Sequence, residues 1–337
     1  MTAGEQASVL PPPRDQPDAR PARHWPLPRG ALVRAGIAVL LVVALLLMGQ
    51  RLVQMKRFLE TLEHVQWALL LPMVALVIAY YAVKALRWTY YLGQAGLLVP
   101  RWRAGAAYLA GQWFMFTPAG ELMRGYFLGG GVPFARAAPT VVAQALADFF
   151  ALALVAAALV LGYPALAPVV LPLAVPIVAL VLALAAPPLR HRAARWPLLR
   201  WLMAGKRRAV LEESAHLLGA RQTLTALLFG VPAVLLGGFA LYLAGLAVGL
   251  AGWDLGRAVA VYAMMQLLGG LSASPHGIGA AEGSGLLLLT YLGVEPGAAL
   301  AAVVLFRAVL LGLSALLGAP AVLALRITDR RRPQVTT

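Results

Sequence analysis

The chain has 337 residues, 61% of them hydrophobic and only 12% charged, with a mean hydropathy of +0.79 and a formal charge of +15. A soluble core cannot hide that much apolar surface, so composition excludes a water-soluble globule and predicts an all-α polytopic integral membrane protein. No cysteine is present, which excludes disulfides, thiol catalysis and thiolate metal sites. The basic residues lie in short segments beside apolar stretches, where they set topology and meet anionic headgroups, so nucleic acid is not an expected partner.

Residues 1–29 are rich in Pro and Arg, lack an apolar period and read as a disordered cytoplasmic tail, not a signal peptide. A membrane domain follows over 30–326, and 327–337 form a basic cytoplasmic tail. About six full spans are predicted, near 31–50, 67–91, 137–162, 166–187, 223–249 and 298–325. The segment 51–65 reads as an interfacial amphipathic helix. In the fourth span Pro164, Pro168, Pro172 and Pro176 recur every four residues on one face, which predicts a bend.

Two shorter apolar pairs, 104–131 and 258–292, are interrupted by "FTPAGELMRG" (116–125) and "SPHGIGAAEG" (274–283). Each arm is too short to cross a hydrocarbon core of ~30 Å, so each pair reads as a re-entrant helical hairpin. Arg and Lys crowd 190–221 and the C-terminus, while the loops near 163 and 293 carry none. Both termini are therefore expected on the cytoplasmic side, with the two hairpins entering from opposite faces. A hairpin followed by a span, repeated in inverted orientation, is a transporter plan with its binding site where broken helices meet.

Three acids, Glu121, Asp148 and Glu282, fall in apolar or broken segments, as do Arg124 and Arg307. A charge at the centre of a span costs ~2.5–3.5 kcal/mol or more, so each must be paired or face a wet cavity. Glu121 and Arg124 are three apart and can neutralise one another on a helix, and Glu282 can pair with Arg307. Pro118, Gly120, Pro275, Gly277 and Gly279 break the hairpins and free backbone dipoles to meet a polar group. Two readings stand: ion pairs that hold the hairpins, or a polar cavity for substrate. The second is preferred, because intramembrane ionisable residues are functional by default. Asp148 is alternatively a helix–helix hydrogen-bond partner. Lys84 and Arg87 are expected to snorkel to the cytoplasmic interface, and Trp88, Trp113 and Trp253 to anchor at interfaces. His276 has no second ligand at metal spacing, so no metal site is expected. The absence of a P-loop, G-x-S-x-G or H-E-x-x-H motif points to a chain that is not an enzyme and takes no cofactor.

These blocks are familiar. "FTPAGELMRGYFL" resembles the P-x-x-x-G-E-x-x-R-type block of the lysylphosphatidylglycerol synthase transmembrane (flippase-like) family, and "SPHGIGAAEG" resembles its P-G-G-L-G-x-x-E-G block. Arg307 matches the arginine expected in the following span, and the similarity covers about 31–326. His276, Ala281 and Gln144-Ala145 depart from the family pattern. The resemblance implies a stand-alone lipid-translocation module of the bacterial inner membrane, without the synthase domain of larger members. It implies a substrate-binding set of Pro118, Gly120, Glu121, Arg124, Asp148, Pro275, Gly277, Gly279, Glu282 and Arg307. The expected ligand is a membrane lipid: a phospholipid, a hopanoid or a lipid-linked glycan. A second copy of the chain or a lipid-synthesis enzyme is the candidate protein partner. The competing reading is a non-transporting scaffold of a lipid, hopanoid or glycolipid synthesis pathway.

Reporter fusions at residue 205 and at the C-terminus should both report cytoplasm. A periplasmic signal from either would overturn the opposed entry of the two hairpins.

Overall fold

The structure is a computed structural model that describes residues 61–330, apart from 62, 116, 118, 119, 130, 131, 186–212, 215, 218 and 273. The first predicted span, nearly all of the interfacial helix, Pro118, the basic segment 190–212, the N-terminal tail and residues 331–337 lie outside the described residues, while 327–330, expected in the C-terminal tail, are helical.

The described residues form nine α-helices and no strand. They are α1 (Leu70–Gln94), α2 (Arg101–Trp113), α3 (Gly120–Tyr126), α4 (Phe134–Leu159), α5 (Ala167–Ala185), α6 (Ala220–Ala247), α7 (Leu255–Leu271), α8 (Ala280–Tyr291) and α9 (Pro296–Arg330). Five stretches, containing α1, α4, α5, α6 and α9, are long and apolar enough to cross a membrane. They coincide with five of the six predicted spans. Leu71, Leu228, Leu287 and Leu316 are each at least 70% exposed, which suits an outer surface solvated by lipid tails rather than water.

The remaining helices form the two hairpins. With 13 and 7 residues, α2 and α3 rise only ~20 and ~10 Å, and the 12 residues of α8 rise ~18 Å. None of these three reaches across ~30 Å of hydrocarbon. In each hairpin the two arms pack on one another, α2 on α3 and α7 on α8.

Helix contacts recur in pairs. Shifting every label by five turns α1·α2 into α6·α7, α2·α3 into α7·α8, α3·α4 into α8·α9 and α1·α4 into α6·α9, all of which are in contact. The cross-contacts obey the same rule: α2 packs on α9 as α7 packs on α4, and α1 packs on α6. Among the described residues three membrane-length helices, α1, α4 and α5, precede α6. α5 stands outside the repeat, on α4.

Small residues let the central helices close. A Cβ at Gly238 of α6 would lie 2.6 Å from Val259 Cγ2 and 2.7 Å from Val259 Cα on α7, so only glycine permits that approach. Gly238→Val should cost ~1–3 kcal/mol through overpacking and lower the thermal midpoint in detergent. Gly312→Ala, where the added methyl meets nothing within 4 Å, should leave the midpoint equal or higher. Equal midpoints for Gly238→Val and the wild type would refute the close α6–α7 contact.

Candidate functional site: a cavity between two broken hairpins

Both hairpin breaks are built by residue chemistry. In the first, a Cβ at Gly120 would meet Phe114 O at 2.1 Å and Met115 Cα at 2.5 Å, so the chain can turn back into α3 only without a side chain there. In the second, Pro275 starts a single 3-10 turn, and the backbone then runs through positive φ at His276 (51°), Gly277 (69°) and Gly279 (85°). Gly277 is also pressed against α7, since its Cβ would lie 2.8 Å from Gly269 Cα. Helix α8 restarts at Ala280, with the Gly279 N–H donating to Glu282 Oε2 at 2.6 Å in the manner of a capping carboxylate.

Between the breaks lies a cavity of about 560 Å³. The first hairpin contributes Gln112, Thr117, Gly120 and Glu121, and the second contributes Gln266, Ser274, Pro275, His276 and Gly277. Helix α1 adds Tyr80, Tyr81 and Lys84, and α4 adds Ala145 and Asp148. Of the ten residues singled out from sequence, Gly120, Glu121, Asp148, Pro275 and Gly277 line this space. Arg124, Gly279, Glu282 and Arg307 stand behind its walls, and Pro118 lies outside the described residues.

The buried charges are engaged with one another. Asp148 accepts from Arg87 Nη2 through one oxygen, and its other oxygen lies 3.1 Å from Lys84 Nζ. Lys84 Nζ also donates to Tyr80 Oη at 3.2 Å. Arg87 is fully buried and Lys84, 15% exposed, lies against Asp148 on the cavity lining, which corrects the expectation that both snorkel to an interface. They point inward because α4 brings Asp148 alongside α1. Gln144, one helical turn before Asp148, donates from Nε2 to Lys84 O at 3.3 Å.

Arg124 departs from expectation too. Glu121 is its i,i+3 neighbour, but the separation is 4.0 Å and Glu121 is half exposed. The guanidinium instead lies over two aromatic faces, 5.2 Å from the Trp88 ring centre and 5.4 Å from that of Tyr108, and donates to Val141 O at 3.4 Å. Trp88 is therefore a buried platform and not an interfacial anchor, its indole N–H donating to Thr140 Oγ1 at 3.1 Å. Trp253 is buried as well and donates to Tyr242 O at 3.1 Å, whereas Trp113 is exposed.

Glu282 holds the second break together. One oxygen caps α8; the other accepts from Arg307 Nε at 2.5 Å, while Arg307 Nη2 donates to His276 O at 3.1 Å. This set links α8, α9 and the unwound loop behind the cavity wall. Four buried donors near the site, Arg87 Nε and Nη1, Arg124 Nε and Arg307 Nη1, have no hydrogen-bond partner among the described residues, and neither has His276 Nε2. No cluster of three His, Cys, Asp or Glu that could hold a metal exists among the described residues.

Lys84, Gln112 and Gln266 line the cavity although none was among the site residues expected from sequence. For Lys84 the signal was the need of Asp148 for a cation, met three residues from Arg87 on the same helix face. Glu282→Gln should leave Arg307 buried without a counter-charge, lowering stability by ~3–5 kcal/mol, read as reduced yield and thermal midpoint. A wild-type midpoint would show that the pair does not hold the break.

No curated protein matches this chain. The family model described as "Lysylphosphatidylglycerol synthase TM region" matches residues 33–318, most of the sequence and every cavity-lining residue. In that family the membrane region is the flippase-like part rather than the catalytic one. The all-helical build, the five membrane-length helices and this match agree: the chain belongs to the lysylphosphatidylglycerol synthase TM region family, as a multi-pass membrane protein of a lipid-related process.

Proposed function

We propose that the chain moves a lipid between leaflets by admitting the polar headgroup to the cavity between the two hairpins, while the acyl chains stay in the bilayer. One observation carries the reading: a single cavity of about 560 Å³ is bounded by the breaks of both hairpins. That volume falls within the ~300–1,000 Å³ usual for small-ligand sites. Unwound backbone at membrane depth is tolerated where it lines such a space, and it supplies dipoles that a headgroup can meet. The repeat-related contacts of the helices give the two hairpins matching supports, as rocking of one repeat against the other requires. Of the sequence-selected residues, Gly120, Glu121, Asp148, Pro275 and Gly277 would touch the headgroup, and Arg124, Gly279, Glu282 and Arg307 would position them. The Lys/Arg asymmetry and the family support a bacterial inner membrane location with both termini cytoplasmic.

Purified protein in liposomes should accelerate the exchange of fluorescent phospholipids or glycolipids between leaflets. Ala145→Trp, which fills the cavity from α4, should slow that exchange at least ~10-fold, a barrier change of ~1.4 kcal/mol, with an unchanged elution profile. Wild-type exchange by a well-folded Ala145→Trp protein would place the lipid path elsewhere.

A further inference from the structure

The first arms of the two hairpins are copies of one another in sequence as well as in packing. Arg103-Ala104, Ala106, Tyr108 and Gln112 recur at identical spacing as Arg257-Ala258, Ala260, Tyr262 and Gln266. The alanines carry little in so Ala-rich a chain, but Arg, Tyr and Gln are uncommon in its apolar segments. Each Arg is the third residue of its helix, α2 starting at Arg101 and α7 at Leu255. The preceding helices also end alike. After α1, Gly96 (φ 68°) is followed by Leu97, whose N–H donates to Leu92 O at 2.9 Å. After α6, Gly249 (φ 72°) is followed by Leu250, whose N–H donates to Gly245 O at 3.0 Å.

The last members of the two copies, Gln112 and Gln266, both line the cavity. Gln112 is only 6% exposed, and neither carboxamide hydrogen-bonds to another described residue. Both carboxamides line the cavity, one from each hairpin, where water bound to them can be replaced by a ligand, so they offer binding capacity. Of the charged side chains that line the cavity, Lys84 and Asp148 hold each other, while Glu121 is half exposed and 4.0 Å from Arg124. The carboxamides are neutral, and the half-exposed Glu121 carboxylate on the same lining disfavours an ionised phosphate.

A carboxamide both donates and accepts. A hydroxyl does the same and can satisfy either half. An ammonium only donates and an ionised phosphate oxygen only accepts, so either leaves half of each amide unpaired. The aromatic rings of Tyr80, Tyr262 and Phe149 on the same walls suit the apolar faces of a sugar or polyol. We infer that Gln112 and Gln266 are the specificity pair of the cavity and select a lipid whose headgroup presents uncharged hydroxyls. This rests on the reading that the cavity holds a lipid headgroup, yet binding alone can test it.

The full-length protein in detergent is titrated with three dihexanoyl lipids carrying a glucosyl, a phosphoethanolamine or a bare phosphate headgroup, with thermal stabilisation as readout. The glucosyl lipid should bind most tightly. Gln112→Met and Gln266→Met, near-isosteric and apolar, should each weaken it about 10-fold, the net loss of one hydrogen bond, with the unliganded midpoint maintained. Gln266→Glu, which accepts but does not donate, should shift preference towards the phosphoethanolamine lipid and guards against misfolding of the Met variants. Equal glucosyl-lipid binding by the wild type and both Met variants, or tighter wild-type binding of either charged lipid, would overturn the inference. Intact discrimination beside static liposomes would support the pair and sink translocation instead.

Discussion

The interior of this protein depends on one carboxylate. Asp148 on α4 pairs with both Lys84 and Arg87, the two cations that α1 carries into the apolar core. Removing one partner of such a buried set costs ~3–5 kcal/mol, because the orphaned charge stays in a medium that cannot solvate it. In a membrane the same cost also sets where polar space can exist: charge that is internally satisfied can border a cavity without being drawn out to the interface. The Asp148 cluster thereby fixes α1 against α4 and supplies one wall of the space between the hairpins.

The second constraint is that a hairpin must turn within the membrane without leaving its backbone exposed to lipid. The two breaks solve this differently. The first relies on close approach, Gly120 passing against Phe114 O and Met115 Cα. The second relies on three positive-φ conformations, at His276, Gly277 and Gly279, tied by Glu282 and Arg307 to α8 and α9. The repeated helix contacts show one packing plan used twice, while the chemistry of the breaks has diverged. That divergence gives the cavity two unlike sides, one with a half-exposed carboxylate at Glu121 and one with an unwound loop.

Much of the fold was legible because it rests on length and hydropathy. The predicted span 67–91 and the helix Leu70–Gln94 differ by three residues at each end, and both hairpins fall where Gly and Pro interrupt apolar sequence. The partners of the charges were less legible, since they depend on which helices become neighbours. Lys84 and Arg87 resemble snorkelling residues until α4 brings Asp148 alongside them. Glu282 reads as a group facing the cavity, but its place three residues after Gly279 makes it a cap, which turns the carboxylate away. Gln112 and Gln266 escape a search for charges because they have none; the internal repeat of Arg, Tyr and Gln was the signal that could have found them.

The central claim is that the two hairpins enclose a polar space open to water within the apolar region. Because the chain has no cysteine, a single thiol introduced by Ala145→Cys can be followed without background. Its reaction with a membrane-impermeant thiol reagent in intact liposomes should be rapid from at least one side, while Leu316→Cys on the exposed apolar surface of α9 should stay unmodified. If the thiol at position 145 is as inert as the one at 316, the space is closed to water and the account fails.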